Sequence, residues 1–139
     1  DIGFEAQGEA WVTGRRVLLA EMMDNLIDNA LRYTPEGGIV NVRIRRLEGE
    51  VEVDVEDNGR GIAPADREFI FERFYRVLDG QTEGSGLGLA IVREIVAQHD
   101  AWIEVRDGLP WAPERGRGRG TSFVVRFPAN PPEAGAESP

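Results

Sequence analysis

The polar residues best suited to chemistry recur at every fourth position of one segment: Glu21, Asn25, Asn29 and Tyr33. Side chains four residues apart lie on one face of a helix, with about 5–6 Å between their Cβ atoms, so a helix would align these four in a stripe. Two carboxamide oxygens of one stripe can bind a single Mg²⁺ ion, which prefers a few protein oxygens together with waters and phosphates. Glu21, one turn earlier, could act as a base or orient a hydroxyl group. A solvated helix face is the alternative, but Asn is a poor helix former and such faces normally carry Glu, Lys or Arg.

A glycine-rich turn at 57–61, with the sequence Asp-Asn-Gly-Arg-Gly, offers a seat for a flat ligand. Gly59 and Gly61 allow a positive φ or a close approach of the backbone to a ring. Asp57 stands at the end of a strand-like segment, where its carboxylate could accept a hydrogen bond from an exocyclic amine and so select adenine over guanine. An ordinary hairpin turn, in which Asp and Asn are common, is the alternative interpretation.

A second glycine-rich segment, Gly-Ser-Gly-Leu-Gly-Leu at 84–89, comes just before an apolar helical pattern. The N-terminus of a helix presents N–H groups and a positive dipole to anions, and glycines let phosphate groups approach. The segment is not the dinucleotide-binding fingerprint, because it follows a polar stretch instead of a strand and Leu89 stands where the third glycine would be. Phosphate binding and a plain flexible loop before a helix are the two interpretations.

The composition excludes several other chemistries. The chain has 16 basic and 25 acidic residues, a net charge of -9, and every basic residue is Arg. A chain without Lys can form neither a Walker A loop nor a Schiff base. The absence of Cys and the presence of one histidine, His99, argue against a disulfide framework, a Cys-based zinc site and a Ser-His-Asp triad. The acidic balance disfavours nucleic-acid binding, and a polyphosphate ligand would need a divalent cation together with a few Arg or backbone N–H groups.

The elements that must position these residues follow from hydrophobic periodicity. Helical spacing predicts helices at 14–33, with Thr13 as the N-cap, and at 87–99, and weaker helical character at 64–77. Alternation predicts a hairpin from 39–46 and 50–56 and two later strands at 102–106 and 122–127, after short extended segments at 1–12. We expect residues 79–86 to be mobile. The order predicts an α+β fold, a two-layer α/β sandwich with helices on one face of a mixed sheet, as one domain over 1–128 with a disordered tail at 129–139.

The motifs, taken in order along the chain, resemble those of a known family. They lie at 25–30, 57–61, 71–74, 84–89 and 120–123. In this order and at these spacings they resemble the N, G1, F and G2 boxes and the final Gly-Thr strand of the ATP-binding catalytic domain of bacterial sensor histidine kinases, in the GHKL ATPase superfamily. The resemblance covers about residues 9–128.

The resemblance implies an ATP site between the first helix and a mobile lid at about 77–86. Asn25 and Asn29 would hold Mg²⁺, Glu21 would be the base or hydroxyl-orienting acid, and Asp57 would bond the adenine amino group. The residues expected to have a catalytic role are Glu21, Asn25 and Arg32. The residues expected to bind the nucleotide are Asn25, Asn29, Arg32, Tyr33, Asp57, Gly59, Gly61, Ile62, Arg73, Arg76, Gly84, Ser85, Gly86, Leu87, Gly88, Leu89 and Thr121.

The resemblance also implies that the γ-phosphoryl group of ATP goes to a histidine on a separate phosphoacceptor helical hairpin. We interpret His99 as a structural histidine, and we expect the chain to be a monomeric fragment that lacks this hairpin. The parent would be a homodimeric, inner-membrane-anchored kinase that has this domain in the cytoplasm and reaches a response regulator through the hairpin. The family usually has two glycines after the histidine, where this chain has Asp100 and Ala101. The alternatives are a nucleotide-binding regulatory module without phosphotransfer and a protein serine kinase of the anti-sigma type.

Overall fold

The computed structural model describes residues 2–7, 12–73, 75, 87–110 and 119–129. These residues form five strands, two α-helices and one short 3₁₀ helix. In chain order the elements are β1 (Ile2–Gln7), α1 (Arg16–Tyr33), β2 (Val40–Leu47), β3 (Glu50–Asp57), the 3₁₀ helix (Pro64–Asp66), α2 (Gly88–Gln98), β4 (Trp102–Pro110) and β5 (Arg119–Pro128). Within this described part of the chain, no helix is long and apolar enough to cross a membrane.

The strands form one mixed sheet in the order β1-β2-β3-β5-β4. β1 runs parallel to β2, and the other three pairs are antiparallel. The predicted hairpin of β2 and β3 is confirmed, and its tight turn contains Gly49 at a φ of 76°. The antiparallel pairing of β3 with β5 brings Glu56 opposite Ser122, so the C-terminal end of β3 and the N-terminal part of β5 lie side by side at one end of the sheet. The predicted mixed sheet is therefore confirmed.

Both helices lie on one face of the sheet, where alternate strand residues meet the apolar stripes of the helices. The buried apolar side chains that form this core are Met22, Leu26, Ala30, Val40, Val42, Val53, Val55, Ile70, Phe71, Val92, Ile95, Val96, Phe123, Val125 and Phe127. The two-layer sandwich is thus confirmed. Because α1 buries only one stripe, its next stripe, which contains the two Asn residues, lies at the margin of the core.

The opposite face of the sheet carries many charged residues, which pair between neighbouring strands. The carboxylate of Glu52, 2% exposed, accepts hydrogen bonds from Arg45 on β2 and from Arg126 on β5. Burial alone would raise the pKa of Glu52, but the hydrogen bonds and positive charge of the two Arg side chains outweigh it and lower the pKa below its usual range. Charge pairing therefore explains why β3 can alternate acidic and apolar residues while both kinds are buried.

The structure corrects three expectations about element boundaries. Thr13 does not cap α1, which begins at Arg16 without a side-chain cap bond. In the predicted helical segment 64–77, the described residues 64–73 and 75 do not form a regular helix: after the 3₁₀ helix, tight turns bond the N–H of Phe69 to Asp66 O and the N–H of Glu72 to Phe69 O. The consecutive apolar residues 69–71 have no helical spacing, and the turns bury the adjacent Ile70 and Phe71 while Phe69 stays exposed. The last two strands are longer than predicted, and the predicted mobile segment 79–86 and tail residues 130–139 lie outside the described residues.

His99 connects the end of α2 to the start of α1, as its structural interpretation predicted. Its buried ring accepts a hydrogen bond at Nε2 from the N–H of Arg15 at 3.0 Å, and Nδ1 lies 2.8 Å from Ile95 O. Because an amide N–H only donates and a carbonyl only accepts, Nδ1 must carry the proton. The next residue, Asp100, has a φ of 55°, in the left-handed region that favours glycine. Asp tolerates this region better than most residues, which explains how the turn forms without the family's usual glycine.

We predict that His99→Ala lowers the free energy of unfolding by about 1–3 kcal/mol, because it leaves the Arg15 N–H and the Ile95 carbonyl without this bridge. Binding of the nucleotide that the motif resemblance implies should be retained, since His99 lies at the C-terminal end of α2, at the opposite end from the glycine-rich start of that helix. Urea unfolding checks the first expectation and calorimetric titration the second. Gln98→Ala, at an exposed neighbouring position, is the control. Unchanged stability of His99→Ala would contradict the structural role.

Candidate functional site

A cleft opens between the C-terminal half of α1, the loop after β3 and the first turn of α2. About 430 Å³ of space lies between its walls, part of which is open solvent. The residues that line it are Asn29, Tyr33, Asp57, Arg60, Gly61, Ile62, Ile70, Tyr75, Leu89 and Thr121.

Asp57 is a buried carboxylate in this cleft, only 2% exposed. Its Oδ1 accepts hydrogen bonds from the N–H of Gly59 at 2.8 Å and from the N–H of Thr121 at 3.1 Å. Burial raises the pKa of Asp57, the two backbone hydrogen bonds oppose this effect, and the charge of Glu56 adds to it. Both bonds use Oδ1, and among the described residues no donor bonds to Oδ2. Oδ2 can therefore accept a hydrogen bond from an N–H group of a ligand.

Two glycines of the last strands let the backbone of Asp57 come close. A Cβ built on Gly120 would stand 1.9 Å from Asp57 O, and one built on Gly108 would stand 2.5 Å from the same atom. Real Cβ atoms do not approach so closely, so any side chain at either position would displace the end of β3. The position of the carboxylate therefore depends on glycine at both sites. Gly120 belongs to the Gly-Thr motif at 120–123, whereas the sequence analysis missed Gly108.

Asn58 and Gly59 join the loop to its surroundings instead of facing a ligand. Asn58 Oδ1 accepts the N–H of Ile39 at 2.8 Å. A Cβ on Gly59 would stand 2.3 Å from Tyr33 O, so the loop lies directly against the C-terminal end of α1. Gly61 has a φ of 79°, as the sequence interpretation of this glycine allowed.

The polar stripe of α1 runs from the cleft towards the start of α2. Asn29 and Tyr33 line the cleft. Asn25 is half-buried one turn away: its Nδ2 donates to Glu21 O at 3.0 Å, and a Cβ on Gly88 would stand 3.1 Å from its Oδ1. Because Gly88 has no side chain, the first turn of α2 can lie beside the amide oxygen of Asn25. The amide oxygen of Asn25 therefore lies beside the first turn of α2, one helical turn before Asn29, which lines the cleft.

This end of the cleft can hold a hydrated cation with an anionic ligand. Its neutral amide oxygens are suitable for Mg²⁺, which keeps several waters and binds substrate phosphates. Within the described part of the chain, no three His, Cys, Asp or Glu side chains cluster as a metal site. A divalent ion here would consequently rely on the amides and on the ligand's own oxygens.

Of the other residues predicted to bind the nucleotide, some line the cleft and others do not. Ile62, Leu89 and Thr121 line the cleft together with Asn29, Tyr33 and Asp57. Leu87 is the N-cap residue of α2, and the side chain of Glu21 is exposed beside the stripe. Arg32 and Arg73 are exposed and do not line the cleft, and Arg32 is paired with Asp28 at 2.8 Å. The predicted ligands Arg76, Gly84, Ser85 and Gly86 lie outside the described residues.

The sequence analysis missed three residues that line the cleft, Arg60, Ile70 and Tyr75. Ile70 and Tyr75 belong to an aromatic-rich stretch that is equally typical of a core, so their pattern alone does not identify a ligand wall. A further residue, Arg67, supports the cleft from outside: its Nε donates to Ile62 O at 3.0 Å and its Nη2 pairs with Asp107 at 2.7 Å. This contact fixes the Ile62 wall to β4.

Comparison with known proteins assigns the fold and cleft to a family. The profile of the histidine kinase-, DNA gyrase B- and HSP90-like ATPases matches residues 14–131. The chain belongs to this ATPase family. Within it, the chain resembles the catalytic domains of sensor histidine kinases, which confirms the resemblance that its motifs indicated.

The ATPase domain is similar to several mycobacterial kinases. It is 41% identical over its whole length to the signal transduction histidine-protein kinase/phosphatase MprB of Mycobacterium avium, and 39% identical over 93% of its length to the sensor-like histidine kinase SenX3 of Mycobacterium tuberculosis. It spans 27% and 30% of the lengths of these relatives. Among solved structures, mycobacterial MprB superimposes with a TM-score of 0.79 at 36% identity, covering 94% of this chain and 83% of the other. Full-length ShkA in complex with AMPPNP superimposes with a TM-score of 0.75 at 29% identity, covering 93% of this chain and 25% of the other.

We predict that burial of Asp57 makes the free energy of unfolding of the nucleotide-free ATPase domain depend on pH. Its pKa is raised in the folded domain, so the folded state keeps the proton to a higher pH than the unfolded chain does. The wild type should therefore lose stability relative to Asp57→Asn as the pH rises from the unfolded-state pKa through the raised folded-state pKa. Below both values the difference should stay constant.

Urea unfolding of the two proteins between about pH 3 and pH 7 measures this difference. Glu50→Gln, at a partly exposed position of the same strand, is the control and should not show the same dependence. Parallel stability curves for the wild type and Asp57→Asn would contradict the burial argument.

Proposed function

We propose that this domain binds Mg-ATP in the cleft and donates its γ-phosphoryl group to a histidine on a separate phosphoacceptor domain. The observation that carries the proposal is the buried Asp57, whose Oδ1 is held by two backbone N–H groups, in a cleft that is also lined by Asn29; one turn before Asn29, the Asn25 amide oxygen lies beside the first turn of α2. An adenine nucleotide has the matching pattern, an exocyclic amine at one end and anionic phosphates at the other.

Each part of the cleft has a role in this proposal. Asp57 accepts the adenine amino group, and Tyr33, Ile62 and Leu89 provide apolar walls for the base. Gly59 and Gly61 shape the loop around it, and Thr121 completes the pocket beside Asp57. The glycines at 84, 86 and 88, together with Ser85 and Leu87, would approach the phosphates, where glycine leaves room and a helix N-terminus favours anions.

Asn25 and Asn29 would hold the magnesium ion, because the two residues lie one turn apart on the same stripe of α1 and the phosphates would lie beside them. When bound, Mg²⁺ neutralises charge on the phosphates. Glu21 is the candidate base or hydroxyl-orienting acid, and Arg32, Arg73 and Arg76 are candidate sources of positive charge near the phosphates. The two described Arg side chains are exposed and would have to turn inward when nucleotide binds. Positioning and charge stabilisation would do most of the catalysis, as is usual for phosphoryl transfer.

The phosphoacceptor must lie outside this chain. The sequence contains one histidine, His99, and both of its ring nitrogens are engaged in a buried site between the helices. We infer that the acceptor is a helical hairpin domain of the same kinase and that a response regulator receives the phosphoryl group from it. One solved relative is the histidine kinase ThkA in complex with the response regulator protein TrrA; that kinase is 26% identical to this chain and superimposes with a TM-score of 0.73. A homodimeric, membrane-anchored parent with this domain in the cytoplasm, and a monomeric state of the isolated domain, are further parts of the proposal.

Transfer of label tests the proposed function directly. The domain should move ³²P from γ-labelled ATP to the acceptor hairpin of its parent, and the product should be acid-labile, as phosphohistidine is. Tight ATP binding with no transfer would indicate a regulatory nucleotide-binding module instead. An acid-stable product would indicate serine chemistry of the anti-sigma type.

We predict that Asn29→Ala weakens ADP binding at least about tenfold in the presence of Mg²⁺, equivalent to about 1.4 kcal/mol. Removal of Mg²⁺ with EDTA should weaken the wild type and make it similar to the variant. Calorimetric titration of ADP with and without Mg²⁺ measures both effects, and Asn41→Ala on the remote strand β2 is the control. An ADP affinity of Asn29→Ala equal to that of the wild type in Mg²⁺ would refute the metal role.

A further inference from the structure

Arg60 lies over the aromatic ring of Tyr33. Its guanidinium carbon is 4.6 Å from the ring centroid, and both side chains line the cleft. Arg60 stands between the two glycines of the loop and is not among the residues that the motif resemblance assigns to the nucleotide. A guanidinium group at this distance from a ring face is attracted by the negative charge of the π system.

The backbone brings the two residues together. Tyr33 is the last residue of α1, and the loop lies so close to it that a Cβ on Gly59 would stand 2.3 Å from Tyr33 O. The backbone of the next residue, Arg60, is therefore held close to the end of α1 that carries Tyr33. Its cation also lies at the C-terminus of a helix, where the helix dipole favours positive charge. Arg60 is exposed, and the ring and the helix dipole both favour its position over Tyr33.

A half-buried tyrosine at a helix end can adopt several ring orientations, and a base that stacks on the ring would have to fix one of them. A guanidinium on one face of the ring restricts it before the ligand arrives, so less conformational entropy is lost on binding. We propose that Arg60 is a positioning residue for the nucleotide base: it holds the Tyr33 ring in place as a wall of the cleft. This inference rests on the proposed function, because it assumes that the cleft receives a purine.

The competing role for Arg60 is direct contact with phosphate, which its charge alone would also permit. The two roles differ in their dependence on Tyr33. A positioning residue that acts through the ring loses its effect when the ring is removed, whereas a phosphate contact keeps its effect. A double-mutant cycle separates the two cases.

The experiment measures ADP affinity in Mg²⁺ by calorimetry for the wild type, Arg60→Ala, Tyr33→Leu and the double variant. Arg60→Ala should weaken binding about 3- to 10-fold in the wild-type background, a range consistent with a cation–ring contact. In the Tyr33→Leu background the same change should have almost no effect, whereas in a Tyr33→Phe background, which keeps a ring, it should keep most of its effect. Arg60→Lys should restore part of the affinity, and Arg46→Ala, an exposed Arg on β2, should leave it unchanged.

A loss that persists in the Tyr33→Leu background would overturn the proposal in favour of phosphate contact. Equal affinities of Arg60→Ala and the wild type, or no rescue by Lys, would also overturn it. Thermal unfolding without nucleotide should show every Arg60 variant fully folded at the titration temperature, so a folding defect cannot imitate the result. Failure of the wild type to bind ADP would instead refute the proposed function, which keeps the two failures distinguishable.

Discussion

A carboxylate buried at the end of a central strand is costly unless hydrogen-bond donors compensate for the water it loses, and Asp57 is compensated by two backbone N–H groups. One donor comes from its own loop, at Gly59, and the other from β5, at Thr121. This arrangement requires β3 and β5 to be neighbours and requires glycine at 108 and 120, where any side chain would collide with the Asp57 backbone. The order of the strands thus determines where one oxygen of the carboxylate is left available to a ligand.

The rest of the cleft is arranged around that point by the packing of α1 on the sheet. The apolar stripe of Met22, Leu26 and Ala30 is buried, which orients the adjoining polar stripe along the edge of the core. The start of α2 lies at the same edge, because Gly88 has no side chain that would contact Asn25. The orientation of α1 about its own axis therefore determines both the core and the site: a rotation of the helix that exposed Leu26 would also move Asn29 out of the cleft.

Local patterns made much of this predictable from the sequence, whereas long-range contacts did not. Alternation predicted the β2–β3 hairpin. The Asn pair could be singled out because Asn is unusual in the middle of a helix, and Asp57 because a carboxylate at the end of a strand can accept a hydrogen bond from a ligand. The clash that requires glycine at 108 involves residues about fifty positions apart, which no local pattern reveals. The segment at 64–73 departed from expectation because burial of the adjacent Ile70 and Phe71 favoured tight turns over helical periodicity. The sequence does not distinguish Arg60 from an ordinary loop residue, because its contact with Tyr33 joins residues that are distant along the chain.

A crystal structure of the domain with ADP and Mg²⁺ tests the central claim most directly, since the claim concerns the atoms that the nucleotide meets. The account predicts the adenine amino group within about 3 Å of Asp57 Oδ2 and the phosphates between the amides of α1 and the first turn of α2. A purine bound elsewhere, or an Asp57 carboxylate that makes no contact with it, would contradict the account.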